Sequence, residues 1–255
     1  MKRFFIFLLT FITILFSGCG AEVVPPIIEP SIPPAVESPE QDQVVAQYSN
    51  YAVATTSLKI RSKPNTSSTV VGLLDKKDAL LILGEENGFY KSVFKQKTVY
   101  VSKNYCTIMQ IEKGSDKVEK ATELGSTLLG YPYVWGSQRY HWGNGKLNTN
   151  FVMGEFDCSA FVQYIYYHSN GALLDLTTRE QVDNGKPIKD SELSRGDLMF
   201  FTNASRKNKT GKEKIGHVAI YLGNNYILHT ASDHAVIEPI SSLRWSYYIC
   251  SRRIV

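Results

Sequence analysis

The acidic, proline-rich stretch from residue 20 to residue 50 limits most strongly what this chain can fold into. It holds six of the ten prolines and five acidic residues, and it contains no lysine or arginine. Proline removes backbone hydrogen-bond donors and like charges repel each other, so such a segment cannot build a packed core. We therefore predict an extended tether over residues 19–50, which leaves residues 51–255 for folded domains.

Residues 1–18 have the pattern of an export signal. Lys2 and Arg3 precede an apolar run of thirteen residues, which is short for a membrane-spanning helix. The segment FSGC then ends at Cys19 and resembles a bacterial lipobox, with Phe16 where Leu is usual. The resemblance implies that Cys19 is lipidated and anchors an extracytoplasmic lipoprotein to a membrane. An ordinary signal peptide is the alternative.

Residues 51–108 contain short β-type runs separated by turn residues. This pattern predicts a small antiparallel barrel. The segments LKIRSKPNTSSTVVG, NGFYKSV and YVSKNYC resemble the bacterial SH3 domain. The range holds nine Lys or Arg against four Asp or Glu. The resemblance implies binding to the anionic cell wall, and a spacer domain with a solvated basic face is the alternative.

Residues 115–255 place helical patterns before strand patterns. Ser115 precedes apolar residues at helical spacing, and a second apolar helix follows Asp157 and ends near Gly171. The later segments DLMFF, HVAIYLG, NYILHTAS and YYICSRRIV have the composition of strands. This order predicts an α+β domain with a mainly antiparallel sheet.

The cysteines supply one candidate nucleophile. With Cys19 assigned to lipid, Cys106, Cys158 and Cys250 remain, so at least one has no partner within the chain. Cys106 and Cys250 could pair. Asp157 is a good N-cap, which places Cys158 at the first helical position, where the helix dipole favours a thiolate with a lowered pKa. The alternative is a plain buried cysteine.

Two histidines lie on one predicted hairpin. If residues 223–225 form a three-residue loop, residue 217 lies opposite residue 231, and His229 shares a face with His217. An even-length loop would put them on opposite faces. On one face, His217 could accept the proton of Cys158 while His229 orients its ring. Either histidine alone would more often be structural.

Four segments together resemble the NlpC/p60-type cell-wall cysteine peptidases: YPYVWGS, FDCSAF, RGDLMFF and GHVAIYLGNNYILHT, in the family's order. The resemblance implies a papain-like α+β domain in which Cys158 attacks an amide carbonyl, His217 is the base and His229 orients it. It also implies that Tyr133 helps to hold the oxyanion, and that the site for the stem peptide's free amine is shaped by Asp157 and Ser159.

Three departures from the family pattern concern the surroundings of the site. Ser137 and Ala160 stand where glycine is usual, and both changes are small. The segment between Gly136 and Asp157 is longer than is common. We expect its aromatic residues, Tyr140, His141 and Trp142, to pack rather than to contact substrate.

The resemblance implies a peptidoglycan hydrolase that cleaves stem peptides, as a D-γ-glutamyl-diamino acid endopeptidase acting through a thioester. No cofactor or metal is required, and no basic run suggests a nucleic-acid partner. The alternatives are a wall amidase or acyl transfer on the same scaffold, a non-catalytic wall-binding lipoprotein, and a Cys/His/His zinc site. The sequence leaves the chemistry of the wall open.

Overall fold

A computed structural model describes residues 47–230 and 233–255. The predicted signal, Cys19 and nearly all of the predicted tether lie outside the described residues. Among the helices of the described part, none is both long enough and apolar enough to cross a membrane.

The first part of the described chain is built of β-strands. They are β1 (Tyr48–Ala54), β2 (Leu58–Arg61), β3 (Val70–Leu74), β4 (Ala79–Leu81), β5 (Gly84–Glu86), β6 (Phe89–Phe94), β7 (Lys97–Ser102) and β8 (Cys106–Glu112). They form a three-stranded sheet in the order β4-β1-β8 and a five-stranded sheet in the order β3-β2-β7-β6-β5, with antiparallel pairs throughout. Asn87 and Gly88 join β5 to β6 with positive φ angles, as a two-residue hairpin turn requires.

The second part combines helices with a larger sheet. Its elements are α1 (Asp116–Thr127), α2 (Cys158–Asn170), α3 (Thr178–Gln181), β9 (Lys186–Ile188), β10 (Leu198–Phe201), β11 (His217–Gly223), β12 (Tyr226–Thr230), β13 (Ala235–Pro239), α4 (Ser242–Ser246) and β14 (Tyr248–Arg253). The six strands pair antiparallel in the order β13-β12-β11-β10-β14-β9. Helices α1 and α2 pack together, and both contact the sheet. The predicted α+β fold class, preceded by a small all-β domain, is confirmed.

Capping interactions fix the start of both long helices. The Ser115 hydroxyl accepts from the Val118 N–H at the start of α1, and the Asp157 carboxylate accepts from the Ala160 N–H at the start of α2. Gly171 ends α2 in the left-handed conformation, with a φ of 67°. The caps place Cys158 at the first position of α2, as the sequence predicted.

The hairpin of β11 and β12 places both histidines on one face. Its turn has two residues, Asn224 and Asn225, with positive φ angles of 50° and 64°. The register shifts between Tyr221 and Gly223, and Ile220 lies opposite Leu228. The bulge in β11 adds the one residue that the shorter turn lacks. Residues before the bulge therefore have the same strand partners as with the predicted three-residue loop, and His217 and His229 share a face.

A buried ion pair of the α+β domain is hydrogen-bonded to the all-β domain. The Arg195 guanidinium binds Glu119 of α1 through two contacts of 2.7 and 3.0 Å, and it donates to the Tyr51 hydroxyl of β1 at 2.9 Å. It also donates to the carbonyl of Leu222 in β11. Burial raises the pKa of Glu119, but the hydrogen bonds and charge of Arg195 outweigh it and hold that pKa below its usual value.

Loss of this ion pair is expected to destabilise the whole described fold. Arg195→Met leaves the Glu119 carboxylate buried without its partner, so the free energy of unfolding should fall by about 3–5 kcal/mol. Arg206→Met is the matched control, because Arg206 pairs with the exposed Glu213 and such pairs contribute about 0–1 kcal/mol. Urea unfolding measures both, and equal small losses would contradict the expectation.

The same pair predicts the direction of the pH dependence. Because the folded pKa of Glu119 is depressed, its stabilising contribution is complete above the unfolded value of about 4.3. The contribution is lost as the pH falls below that value, and Glu119→Gln should be less sensitive to acid than the native chain.

Candidate active site

Cys158 lies where α2 meets β11, and its side chain is almost fully covered. The residue is 8% exposed, and the backbone N–H groups of Val218 and Ser159 both face its sulfur. Val218 follows His217 at the start of β11, so the residue next to the predicted base contacts the predicted nucleophile.

Burial decides the protonation state of Cys158. It raises the pKa of the thiol to about 12, the charge of Asp157 adds to this, and the two backbone N–H groups only partly oppose it. The prediction of a lowered pKa was therefore wrong, because burial outweighs the helix start. The resting group is a neutral thiol, so a thiolate forms only when a base takes the proton.

The two histidines form a hydrogen-bonded relay that continues to a carboxylate. Nε2 of His217 lies 2.9 Å from Nδ1 of His229, and Nε2 of His229 lies 2.9 Å from Oε1 of Glu238. Arg244 donates to the same Glu238 oxygen at 3.2 Å. Burial raises the pKa of Glu238, but the hydrogen bonds and charges of His229 and Arg244 hold it below its usual value. Glu238 is therefore an ionised acceptor at neutral pH.

The relay assigns one tautomer to each histidine. Because Glu238 can only accept, Nε2 of His229 carries the hydrogen, and its Nδ1 is an acceptor. Nε2 of His217 then donates to that Nδ1, which leaves Nδ1 of His217 free to accept a proton. Burial, His229 and Arg244 lower the pKa of His217 well below its usual value, so the ring is a neutral base at pH 7.

Glu238 is a functional candidate that the sequence did not identify. It lies on β13, where Val236 pairs with His229 and Ile227 pairs with Glu238. Residues 236 and 238 share a face of the strand, so Glu238 lies diagonally across from His229. The only signal in the sequence would have been the register of β12 with β13, which no motif reveals.

Asp157 and Ser159 lie beside Cys158, but their polar groups are already engaged. The Asp157 carboxylate accepts from Arg139 at 2.9 Å, from Ser159 at 3.0 Å, and from the N–H groups of Gly136 and Ala160. The Arg139 side chain also donates to the Ser159 hydroxyl, at 2.9 Å. The resemblance implies that Asp157 helps to shape a site for a free amine. Here the charge of Asp157 is balanced by the guanidinium of Arg139, which belongs to the long segment 137–156.

The same segment packs against α2. The Tyr140 ring contacts the rings of Phe151, Tyr164 and His168, and His141 is fully buried. Trp142 is about half exposed. The expectation of a packed segment is therefore confirmed for Tyr140 and His141 and not for Trp142.

Tyr133 and His217 line one cavity of about 440 Å³. Burial raises the pKa of Tyr133, and the neighbouring Cys158 and Asp157 raise it further, so the hydroxyl stays protonated and can donate. The remaining cysteines lie elsewhere. Cys106 and Cys250 are both free thiols, and burial raises the pKa of each, to about 11 for Cys106.

In the part of the chain that the structure describes, no group of three or more His, Cys, Asp or Glu side chains is arranged to hold a metal ion.

Two family descriptions match this chain. Residues 130–253 match the NlpC/P60 family, and residues 56–107 match the bacterial SH3 domain. The chain carries an NlpC/P60 domain and a bacterial SH3 domain.

Curated relatives of this chain include three named peptidases. The peptidoglycan DL-endopeptidase CwlO of Bacillus licheniformis is 32% identical over 56% of this chain and 29% of its own length. The gamma-D-glutamyl-L-lysine dipeptidyl-peptidase of Bacillus subtilis is 29% identical over 64% and 48%. The murein DD-endopeptidase MepS/murein LD-carboxypeptidase of Escherichia coli is 35% identical over 52% and 62%. The chain spans less than two thirds of each of these relatives.

Because the Cys158 thiol is neutral at rest, we expect its alkylation rate to depend on pH. A thiol whose pKa is about 12 gains thiolate about tenfold for each pH unit. The rate of Cys158 alkylation by iodoacetamide should therefore rise steadily between about pH 6 and pH 9, as it does for an ordinary buried thiol. Mass spectrometry of tryptic peptides follows it, with Cys106 as the internal control. A rate that stays level across this range would indicate a preformed thiolate and contradict the assignment.

If Glu238 positions the two histidines, we expect its replacement to change their tautomers. Glu238→Leu removes the acceptor for His229, so His229 and His217 should each become mixtures of tautomers, whereas Glu238→Gln keeps an acceptor oxygen and should retain much of the native pattern. Nitrogen-15 NMR of the imidazole rings measures this directly. Glu213→Leu, at an exposed carboxylate of the same domain, is the matched control. Native ring signals in Glu238→Leu would show that Glu238 does not position the histidines.

Proposed function

We propose that this chain is a peptidoglycan hydrolase that cleaves stem peptides, with Cys158 as its nucleophile. The observation that carries the proposal is the relay from His217 through His229 to Glu238, beside the Val218 N–H that faces the Cys158 sulfur, within residues that match the NlpC/P60 family. A non-catalytic wall-binding protein would have no need of a buried thiol beside two histidines with fixed tautomers.

The first half of the reaction forms a thioester. Nδ1 of His217 takes the proton of the Cys158 thiol, and the sulfur attacks the carbonyl carbon of the scissile amide. The negative charge moves to the carbonyl oxygen, where the Tyr133 hydroxyl and the backbone N–H of Cys158 donate to it. When the carbon–nitrogen bond breaks, His217 returns the proton to the leaving amine.

The second half hydrolyses the thioester. His217 takes a proton from water, the hydroxide oxygen attacks the thioester carbon, and Cys158 leaves with a proton as the acid product is released. In both halves the imidazolium of His217 is transient, and His229 and Glu238 stabilise it through the relay. His229 and Glu238 are positioning residues, because they act through His217.

The bond after D-γ-glutamate is the proposed point of cleavage. The names of two relatives support it, since one is a DL-endopeptidase and another a γ-D-glutamyl-L-lysine peptidase. The Arg139–Asp157 ion pair bears on the substrate. Because the Asp157 carboxylate is already paired with Arg139, it offers no unpaired charge to a free amine on the substrate. We therefore infer that stem peptides with a blocked amine are substrates as well.

The remaining parts of the chain are proposed to bring the enzyme to its substrate. A lipid on Cys19 would hold the protein at a membrane outside the cytoplasm, and residues 19–50 would span the gap to the wall. The bacterial SH3 domain would bind the anionic wall through its excess of basic residues.

Digestion of muropeptides by the full chain tests the proposed reaction. The native protein should release fragments that end in D-γ-glutamate, and Cys158→Ala should release none. Cys250→Ala, which removes a thiol outside the site, is the control and should remain active. Mass spectrometry identifies the new ends. Free-amine and N-acetylated stem peptides should be cleaved at similar rates.

The products also separate the reaction classes. Release of intact stem peptides from glycan would indicate an amidase, and transfer to an added amine would indicate acyl transfer. Activity that persists in Cys158→Ala would contradict the assigned nucleophile.

A further inference from the structure

The cavity beside His217 and Tyr133 has an unusual charge balance. Among the described residues that line it, Arg244 is the only one with a formal charge, and none is acidic. The nearest counter-charge is Glu238, which accepts from Nη2 of Arg244 at 3.2 Å and is itself held by His229. The other guanidinium nitrogens, Nε and Nη1, make no hydrogen bond to any described residue, so they can still donate to an anion.

Two hydroxyls in the cavity wall also lack partners. Oγ1 of Thr202 and Oγ1 of Thr230 are buried and make no hydrogen bond within the described part of the chain. A buried unpaired hydroxyl is unfavourable by about 1–3 kcal/mol, so native structures rarely keep one without a use. Both threonines line the cavity, so a change of rotamer is the movement by which either hydroxyl could meet a polar occupant.

The reaction indicates which part of the substrate the cavity receives. His217 must return its proton to the leaving amine, so the residue that carries this amine lies on the side of His217. In the stem peptide that residue is the diamino acid. Its far end carries an ammonium alone in lysine, but an ammonium and a carboxylate in diaminopimelate.

We propose that this cavity binds the far carboxylate of the diamino acid through Arg244, and so selects stem peptides of the diaminopimelate type over those with lysine. The proposal rests on the proposed function. A lysine ammonium would meet a guanidinium and find no acidic group in the described lining, whereas a carboxylate would form a charge-assisted hydrogen bond with Arg244. Arg244 therefore determines specificity, in addition to its contact with Glu238.

Three matched peptides test the proposal. They share L-alanyl-γ-D-glutamate and differ in the third residue, which is diaminopimelate, diaminopimelate with its far carboxylate amidated, or lysine. The native full chain should cleave the first with a kcat/KM at least about tenfold above that of the other two, the ratio expected for one charge-assisted contact. The amidated peptide isolates the charge, because it keeps the shape and the ammonium.

Variants locate the origin of the preference. Arg244→Gln should reduce the carboxylate-to-amide ratio to about one, and Arg244→Lys should retain part of it. Absolute rates are expected to fall in both because Arg244 also contacts Glu238, so only the ratio is diagnostic. Arg179→Gln is the matched control, since Arg179 pairs with a glutamate of the same domain away from this cavity and should keep the native ratio.

The outcomes distinguish this proposal from the one it rests on. If the native chain cleaves all three peptides equally or prefers lysine, or if Arg244→Gln keeps the native ratio, the proposal is overturned and the peptidase assignment stands. If the native chain cleaves none of them, and muropeptides are also left intact, both proposals fail. Should Arg244→Gln not fold, the native preference must weaken with added salt, and a salt-independent preference would overturn the role of Arg244.

Discussion

The buried Arg195–Glu119 pair is the interaction on which the arrangement of the described chain depends. It connects β1 of the all-β domain with helix α1 and strand β11 of the α+β domain within one hydrogen-bonded cluster. Moving two charges out of water is costly, so the pair adds little net stability compared with apolar residues of the same size. Its effect is geometric: Arg195 and Glu119 both belong to the α+β domain, and their shared contacts with Tyr51 and Ser49 fix where the all-β domain docks. Because Arg195 also donates to Leu222, in the strand that begins at His217, the same cluster contacts a strand of the candidate active site.

Packing around Gly130 has the same consequence on the other side of the interface. A Cβ atom at Gly130 would lie 2.1 Å from the ring of Phe94 in the SH3 domain, and the residue has a φ of 83°. Only glycine allows both the close approach and the backbone angle. Gly130 bonds to the carbonyl of Ala235 and is followed closely by Tyr133. The SH3 domain is therefore packed directly against the segment that leads to Tyr133 of the candidate active site.

Local chemistry made parts of this structure predictable from the sequence. Asp157 and Gly171 are strong capping residues, so the ends of α2 and the position of Cys158 followed from them. The face shared by His217 and His229 was predicted only on the condition of a three-residue loop. The turn has two residues, and the bulge in β11 restores the shared face, which the sequence did not reveal.

What could not be predicted depends on long-range register and on burial. Glu238 reaches His229 only through the pairing of β13 with β12, and Arg139 reaches Asp157 from a long segment without regular structure. The predicted direction of the Cys158 pKa shift was wrong for a related reason. Helix position can be read from a sequence, but the degree to which a side chain is covered is a property of the whole fold.

Burial has the same electrostatic effect on three groups of this site. It opposes charge on Cys158, His217 and His229 alike, so all three are neutral at rest near pH 7. Fixed charges lie next to these groups, on Asp157 and Arg139 beside Cys158 and on Glu238 and Arg244 beside His229. In the proposed reaction the proton moves from Cys158 to His217, and positive charge then appears at one end of a relay whose other end is already negative. Glu238 would stabilise the imidazolium of His217 without taking its proton, because His229 lies between them. In that proposal the site develops charge only during the reaction, which is where electrostatic stabilisation increases the rate.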